Sequence, residues 1–125
     1  MKTFKPHNMY RRTAIHVFAP INKPDQYDEE TGDPVWHFLD AEGYIVAYVH
    51  PTAVPWKADT TVYTGAFNHK HVPKPLASSL LHSSSSRTEI IDSITMKLQR
   101  QGICVHSREQ AKVWGITFSW EKGNG

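Results

Sequence analysis

The residues in this chain best equipped for chemistry are its histidines, eight in 125 residues. His69 and His71 lie two apart with Lys70 between them. In extended backbone, residues two apart project to the same face, so this pair could offer two imidazoles to one metal ion. Catalytic zinc takes three protein ligands, and the third would have to come from His50, His82, His106 or an acid of the 25–42 stretch. Only two ligands are locally specified, so no metal or cofactor is expected. Acid–base chemistry asks for less. A metal-independent ribonuclease uses the ribose 2′-OH as nucleophile and needs only proton transfer and charge stabilisation from the protein. His69 or His71 as base, Lys70 or Lys74 beside a phosphoryl anion, and Tyr63 assisting would fill those roles. A polar strand end accounts for the same string without any catalysis.

Cys104 and His106 are also two apart, and a thiol beside an imidazole can be activated to thiolate. Here the surroundings argue for packing: Ile103-Cys104-Val105 is an apolar run, in which cysteine behaves as a small hydrophobe. With one cysteine, neither an intramolecular disulfide nor a multi-cysteine zinc module can form. The chain has no glycine-rich phosphate loop, nucleophile elbow or dinucleotide fingerprint.

Charge is strongly segregated beneath a net +2. Residues 1–24 hold five bases and no acid, including Arg11 and Arg12; residues 25–56 hold seven acids and no Lys or Arg, including Asp28, Glu29 and Glu30. Such a bipolar surface can steer a charged partner. Aromatic residues crowd the same region: Trp36, Phe38, Tyr44, Tyr48, Trp56 and Tyr63. Bases stack on aromatics that project from a sheet, which with the basic N-terminal arm makes a nucleic-acid-binding module one reading. The acidic block would repel phosphates and opposes it. Leu76–His82 and 86–101 can also be drawn as a helix-turn-helix, but Arg87, Lys97 and Arg100 share the second helix with Glu89 and Asp92, where a recognition helix should be basic.

The elements that position these residues are most legible from Ser86 onward. Ser86-Arg87-Thr88-Glu89 fits a capping box, the serine hydroxyl taking a first-turn amide and the glutamate returning to the cap's own N–H. Ile90, Ile91, Ile94 and Leu98 follow at helical spacing, and Gly102 ends the helix. Beyond it lie a short buried strand at 103–105, a short helix from Ser107 to Trp114, and a closing strand at 116–120. Upstream, Thr13–Ala19 reads as a strand and 20–34 as a loop. Val35–Leu39 and Tyr44–Val49 read as a hairpin about Asp40-Ala-Glu-Gly43. Pro51 and Pro55 bracket a loop, 60–67 is a strand interrupted by Gly65, and Pro75 opens a short helix through His82.

The expected fold is therefore α+β: a mostly antiparallel sheet of about four to six strands, one principal helix at 86–101, and one or two short helices packed on it. The expected organisation is a flexible basic arm at 1–12, a single domain at 13–122 and a frayed tail at 123–125. No apolar run is long enough to span a bilayer and no leader is legible, so a cytoplasmic location is expected, with no membrane partner. For function, the leading expectation is a small non-catalytic intracellular interaction protein, an inhibitor or accessory factor. It would bind another protein through an aromatic and acidic surface built from Trp36, Phe38, Tyr44, Tyr48, Asp28, Glu29 and Glu30, with Arg11 and Arg12 flanking it. The alternatives are the histidine-based nuclease or phosphoryl-transfer enzyme and the nucleic-acid module.

Overall fold

The computed structural model describes residues 15–54, 60–79 and 81–116. The elements run β1 (His16–Phe18), β2 (Gln26–Tyr27), β3 (Pro34–Asp40), β4 (Ile45–Ala53), β5 (Thr61–Phe67), α1 (Lys74–Ala77), α2 (Arg87–Arg100), β6 (Cys104–His106) and α3 (Arg108–Val113). The sheet order is β5-β4-β3-β1-β6, with β2 paired to β3. Every pairing is antiparallel except that of β1 with β6. This is the mostly antiparallel α+β architecture that the sequence predicts, with one parallel pair that it does not. The expected arm at 1–12, the tail at 123–125 and strand residues 117–120 lie outside the described residues.

The β3–β4 hairpin forms because Asp40 satisfies its own turn. Its Oδ1 accepts the Glu42 amide at 2.9 Å and the Tyr44 amide at 3.0 Å, while its backbone carbonyl takes the Gly43 amide at 3.0 Å. Gly43 supplies the positive φ of 93° that the turn requires. β4 then continues through Pro51, where the sequence predicts a loop. The pairing geometry removes the objection to proline there. Tyr63, the β5 partner of Pro51, directs both its backbone N–H and its carbonyl to Ser84. Its side of the β4–β5 ladder therefore makes no hydrogen bond at this position, and the missing proline N–H costs nothing. The segment expected to be loop also contains β2, a two-residue strand.

Helix α2 covers one face of the sheet with Ile90, Ile94 and Leu98, at most 2% exposed. It meets Val17, Trp36, Phe38, Ala47 and Val49 from the strands, and each fully buried aliphatic side chain contributes about 1.5–3 kcal/mol. Gly65 lets the helix approach β5: a Cβ there would sit 3.0 Å from Ile90 Cγ2 and 3.0 Å from Ile94 Cδ1. The capping box is only half realised. Ser86 Oγ accepts the Glu89 amide at 3.3 Å, but the Glu89 carboxylate accepts from the Ser84 hydroxyl, which in turn accepts the Ser86 amide. Ser84 thus stands between the two halves of the expected motif, because it is held in place by its backbone bridge to Tyr63. Both longer helices end the same way, with Ile103 N–H returning to the Leu98 carbonyl at 3.1 Å and Ile116 N–H to the Ala111 carbonyl at 2.9 Å.

α1 is one turn where a helix to His82 is expected, so the helix-turn-helix reading does not survive. With its short length it makes no scaffold for a recognition helix, and no helix among the described residues is long and apolar enough to cross a membrane.

Candidate functional site

The sheet face opposite α2 carries the polar chemistry. Strand alternation puts Trp36 and Phe38 under the helix and turns His37 and Leu39 the other way. On this second face Ala111 of α3 and Ile116, just beyond the helix, pack against Phe18, Leu39 and Ile45. Two of the expected binding residues are thereby corrected: Trp36 and Phe38, 3% and 0% exposed, are core. Trp36 also donates its indole N–H to the Asn22 carbonyl at 3.0 Å and lies beneath the Arg87 guanidinium, 4.5 Å from the ring centroid.

At the centre of the face is a buried ion pair. Arg108, at the start of α3, donates to both carboxylate oxygens of Asp25 at 2.9 and 3.1 Å and to the His37 carbonyl at 2.9 Å. Asp25 Oδ2 accepts the His37 amide at 2.7 Å. The pair therefore ties the first turn of α3, the entry to β2 and the middle of β3 into one unit. Burial pushes the His37 imidazole below its ordinary pKa, with the Asp25 carboxylate opposing the fall and Arg108 adding to it. The unfolded chain consequently takes up this proton at a higher pH than the folded one. Stability is insensitive to His37 above about pH 6.5 and declines as pH drops below it. Urea unfolding followed from pH 7 to pH 5 should show a shallower decline for His37→Gln than for the native chain; an unchanged slope would detach His37 from the acid sensitivity.

To one side of this unit lies a cleft of about 460 Å³ between the Asp28–Asp33 turn and β4, lined by Asp28, Thr31, Asp33, Tyr48, His50 and Thr52. Asp28 closes the turn: its Oδ1 accepts the Glu30 amide at 2.8 Å and the Thr31 amide at 3.0 Å. The Thr31 and Glu30 amides hold the Asp28 carboxyl below the usual carboxylate range. Across the cleft, Tyr48 stacks on His50 with centroids 5.8 Å apart. His50 Nδ1 faces the Pro51 carbonyl at 3.1 Å, which can only accept, so Nδ1 carries the proton and Nε2 accepts from the Thr64 hydroxyl at 3.3 Å.

The acidic block expected from the sequence divides by role. Asp25 is in the ion pair, Asp40 holds the hairpin and Asp28 holds its turn, whereas Glu29, Glu30 and Asp33 are exposed residues of that turn, Asp33 lining the cleft. Tyr48 is 36% exposed, and Tyr27 of β2 is 61% exposed. Tyr44, 48% exposed, lies on the other side of the hairpin and stacks on His71 at 4.9 Å. Arg11 and Arg12 lie outside the described residues, as does Trp56.

The proposed catalytic string is not assembled as extended backbone. Asn68–His71 is a turn closed by the His71 amide on the Asn68 carbonyl at 2.9 Å, with His69 and Lys70 exposed. The His71 ring is taken up by its stack on Tyr44, and its Nδ1 is buried without a partner among the described residues. Tyr63 packs on Trp36 at 6.0 Å, on the helix side and four positions before Phe67, about 13 Å back along the strand. The structure does not bring Tyr63 to the His69–His71 turn.

On the other side of the ion pair, the structure assembles what the sequence reading misses. Cys104, expected in the core, is exposed. β6 is the last strand in the sheet order, and the side chain turns to the face opposite α2. It pairs in register with His16 of β1. His106, two residues on, projects the same way, with its Nε2 3.0 Å from His16 Nδ1. Trp114, capping α3, stands edge-on to His106 at 4.8 Å. The i, i+2 spacing of Cys104 and His106 was the legible signal; His16 is distant in sequence and carried none.

No family model matches this chain, and comparison with curated proteins and with solved structures returns no significant match.

Proposed function

We propose that this chain is a small non-catalytic intracellular binding protein that acts by occupying a basic segment of another protein with the cleft between the Asp28–Asp33 turn and β4. The observation that carries the reading is the pairing of acids with a partly exposed aromatic ledge: Asp28 and Asp33 line the cleft opposite Tyr48 stacked on His50, and Glu29 and Glu30 are exposed on the same turn, which Asp28 closes. Tyrosine is among the residues that most often anchor interfaces, and a ring of carboxylates raises the association rate of a cationic partner. The same carboxylates oppose phosphate backbones, which favours protein over nucleic acid. A free exposed thiol suits the reducing cytoplasm.

The test uses Glu30→Lys/Asp33→Lys and, separately, Tyr48→Ala, leaving Asp28 in place because it holds the turn. A partner captured by the native chain from its host is purified, and its association is measured across a salt series. Charge reversal should slow association at low salt by about 10-fold or more, and Tyr48→Ala should speed dissociation. A partner whose kinetics ignore both variants binds elsewhere, and the reading fails. Hydrolysis of single-stranded RNA by the native chain, abolished in His69→Ala/His71→Ala, would replace it with the enzyme reading.

A further inference from the structure

We infer that His16, Cys104 and His106 form a binding site for a zinc ion at the edge of the sheet. The three side chains each offer one donor atom, and these atoms all lie within 4.8 Å of one another. A tetrahedral zinc ion, with Zn–N of about 2.0–2.1 Å and Zn–S of about 2.3 Å, holds its donors about 3.3–3.6 Å apart. The His16 Nδ1 to His106 Nε2 separation of 3.0 Å needs to open by only a few tenths of an ångström, and the thiol to close by little more than about 1 Å at most, which rotation of the exposed His16 and Cys104 side chains supplies.

The backbone beneath the cluster is fixed. His16 and Cys104 are register partners in the parallel pair, and the ladder is pinned by the Cys104 amide on the Ile15 carbonyl at 2.9 Å and the Ala19 amide on the His106 carbonyl at 2.8 Å. Donors placed on paired strands are held more closely than donors on loops. From below, Phe18 contacts the His106 ring at 5.4 Å, and from the side Trp114 stands edge-on to both imidazoles, 6.0 Å from His16 and 4.8 Å from His106. The site is thus walled by apolar rings on two sides and open to solvent on the side of Cys104 and His16.

The donor set narrows the choice of metal. One thiolate and two imidazoles are borderline-soft ligands, suited to zinc and poorly suited to magnesium or calcium, which take oxygen donors. Three protein ligands leave a fourth position to water. Binding must displace the proton that the two imidazole nitrogens share at 3.0 Å onto another ring nitrogen or into solvent, and it must remove the thiol proton, so zinc uptake releases protons and strengthens as pH rises.

The experiment is titration of the full, chelator-treated chain with zinc chloride under reducing conditions, followed by calorimetry in two buffers of different ionisation enthalpy. One zinc per chain with net proton release is expected. Removal of an outer-shell partner typically weakens a metal site by about 10–100-fold, so loss of a direct ligand in Cys104→Ser, His16→Ala or His106→Ala should weaken it by more than about 100-fold. His69→Ala/His71→Ala should leave affinity unchanged. Cobalt(II) added to the native chain reads the site without any mutation, and a thiolate-to-cobalt charge-transfer absorption in the near ultraviolet is expected. Zinc affinity indifferent to Cys104→Ser, a cobalt spectrum without that absorption, or uptake of copper(I) with no uptake of zinc would each overturn the assignment.

Discussion

Replacing Arg108 with methionine is expected to destabilise the fold by about 3–5 kcal/mol, because it leaves the Asp25 carboxylate buried without its counter-charge. The two side chains are 8% and 4% exposed, so water cannot take over from the lost partner. The geometry makes the loss larger than that of a single pair. Arg108 makes two bonds to Asp25 and a third to the His37 carbonyl, and Asp25 also accepts the His37 amide. The Asp25 carboxylate and the His37 carbonyl would each lose a donor, and a buried polar group without a partner costs about 1–3 kcal/mol. Asp25→Leu should be comparably harmful, since it strands the guanidinium and the His37 amide. The informative variant is the double one, Arg108→Met/Asp25→Leu, which removes both charges at once. It should recover part of the loss, as replacement of whole buried ion pairs by apolar residues generally does. Chemical denaturation of the three variants closes a double-mutant cycle. A loss in Arg108→Met below about 1 kcal/mol would place the pair in contact with solvent.

Truncating the sheet-facing row of α2 should have an effect of similar size by a different cause. Ile94→Ala and Leu98→Ala are each expected to cost about 2–5 kcal/mol, made up of lost transfer free energy and the cavity left behind. Both side chains are 0% exposed and sit in the larger of the two apolar clusters. Ile94 should lie at the upper end, because its Cδ1 packs directly over Gly65, where no side chain can move in to fill the space. Met96, half exposed on the outer side of the same helix, supplies the control: Met96→Ala should change the unfolding midpoint little. If Ile94→Ala and Met96→Ala proved equal, α2 would not be packed by the row its spacing defines.

These two predictions also separate what could be read from the chain by inspection from what could not. The α2 row follows from residue spacing alone, since helical periodicity acts within a turn or two and Ser86 and Gly102 mark the ends. The ion pair does not. Asp25 and Arg108 stand 83 positions apart, and a charged residue's identity says nothing about which of many opposite charges it will meet. The roles within the acidic stretch were not legible for that reason: its members are distributed among an ion pair, two turns and a cleft by local geometry and by the arrival of α3. The aromatic surface was divided likewise. The hairpin has apolar residues on both faces, and only the packing of α2 decided that Trp36 and Phe38 are core while Tyr48 remains partly in solvent.

The sequence by itself determined the elements: the hairpin about Asp40–Gly43, the capped helix with its apolar row, the short helix begun by Ser107, and the α+β class they imply. Each is set by the backbone preferences and periodicity of residues within a few positions of one another, which act before any distant contact forms. Only the tertiary structure decided the partners. It laid β6 parallel to β1, brought His16 within 3.0 Å of His106 across 90 positions of chain, and turned Cys104 outward from an apolar run that had marked it for the core. The parallel pair leaves no local signature, because its two strands are joined by the whole intervening domain. The site it creates is written in residues whose neighbourhood exists only after the sheet has closed.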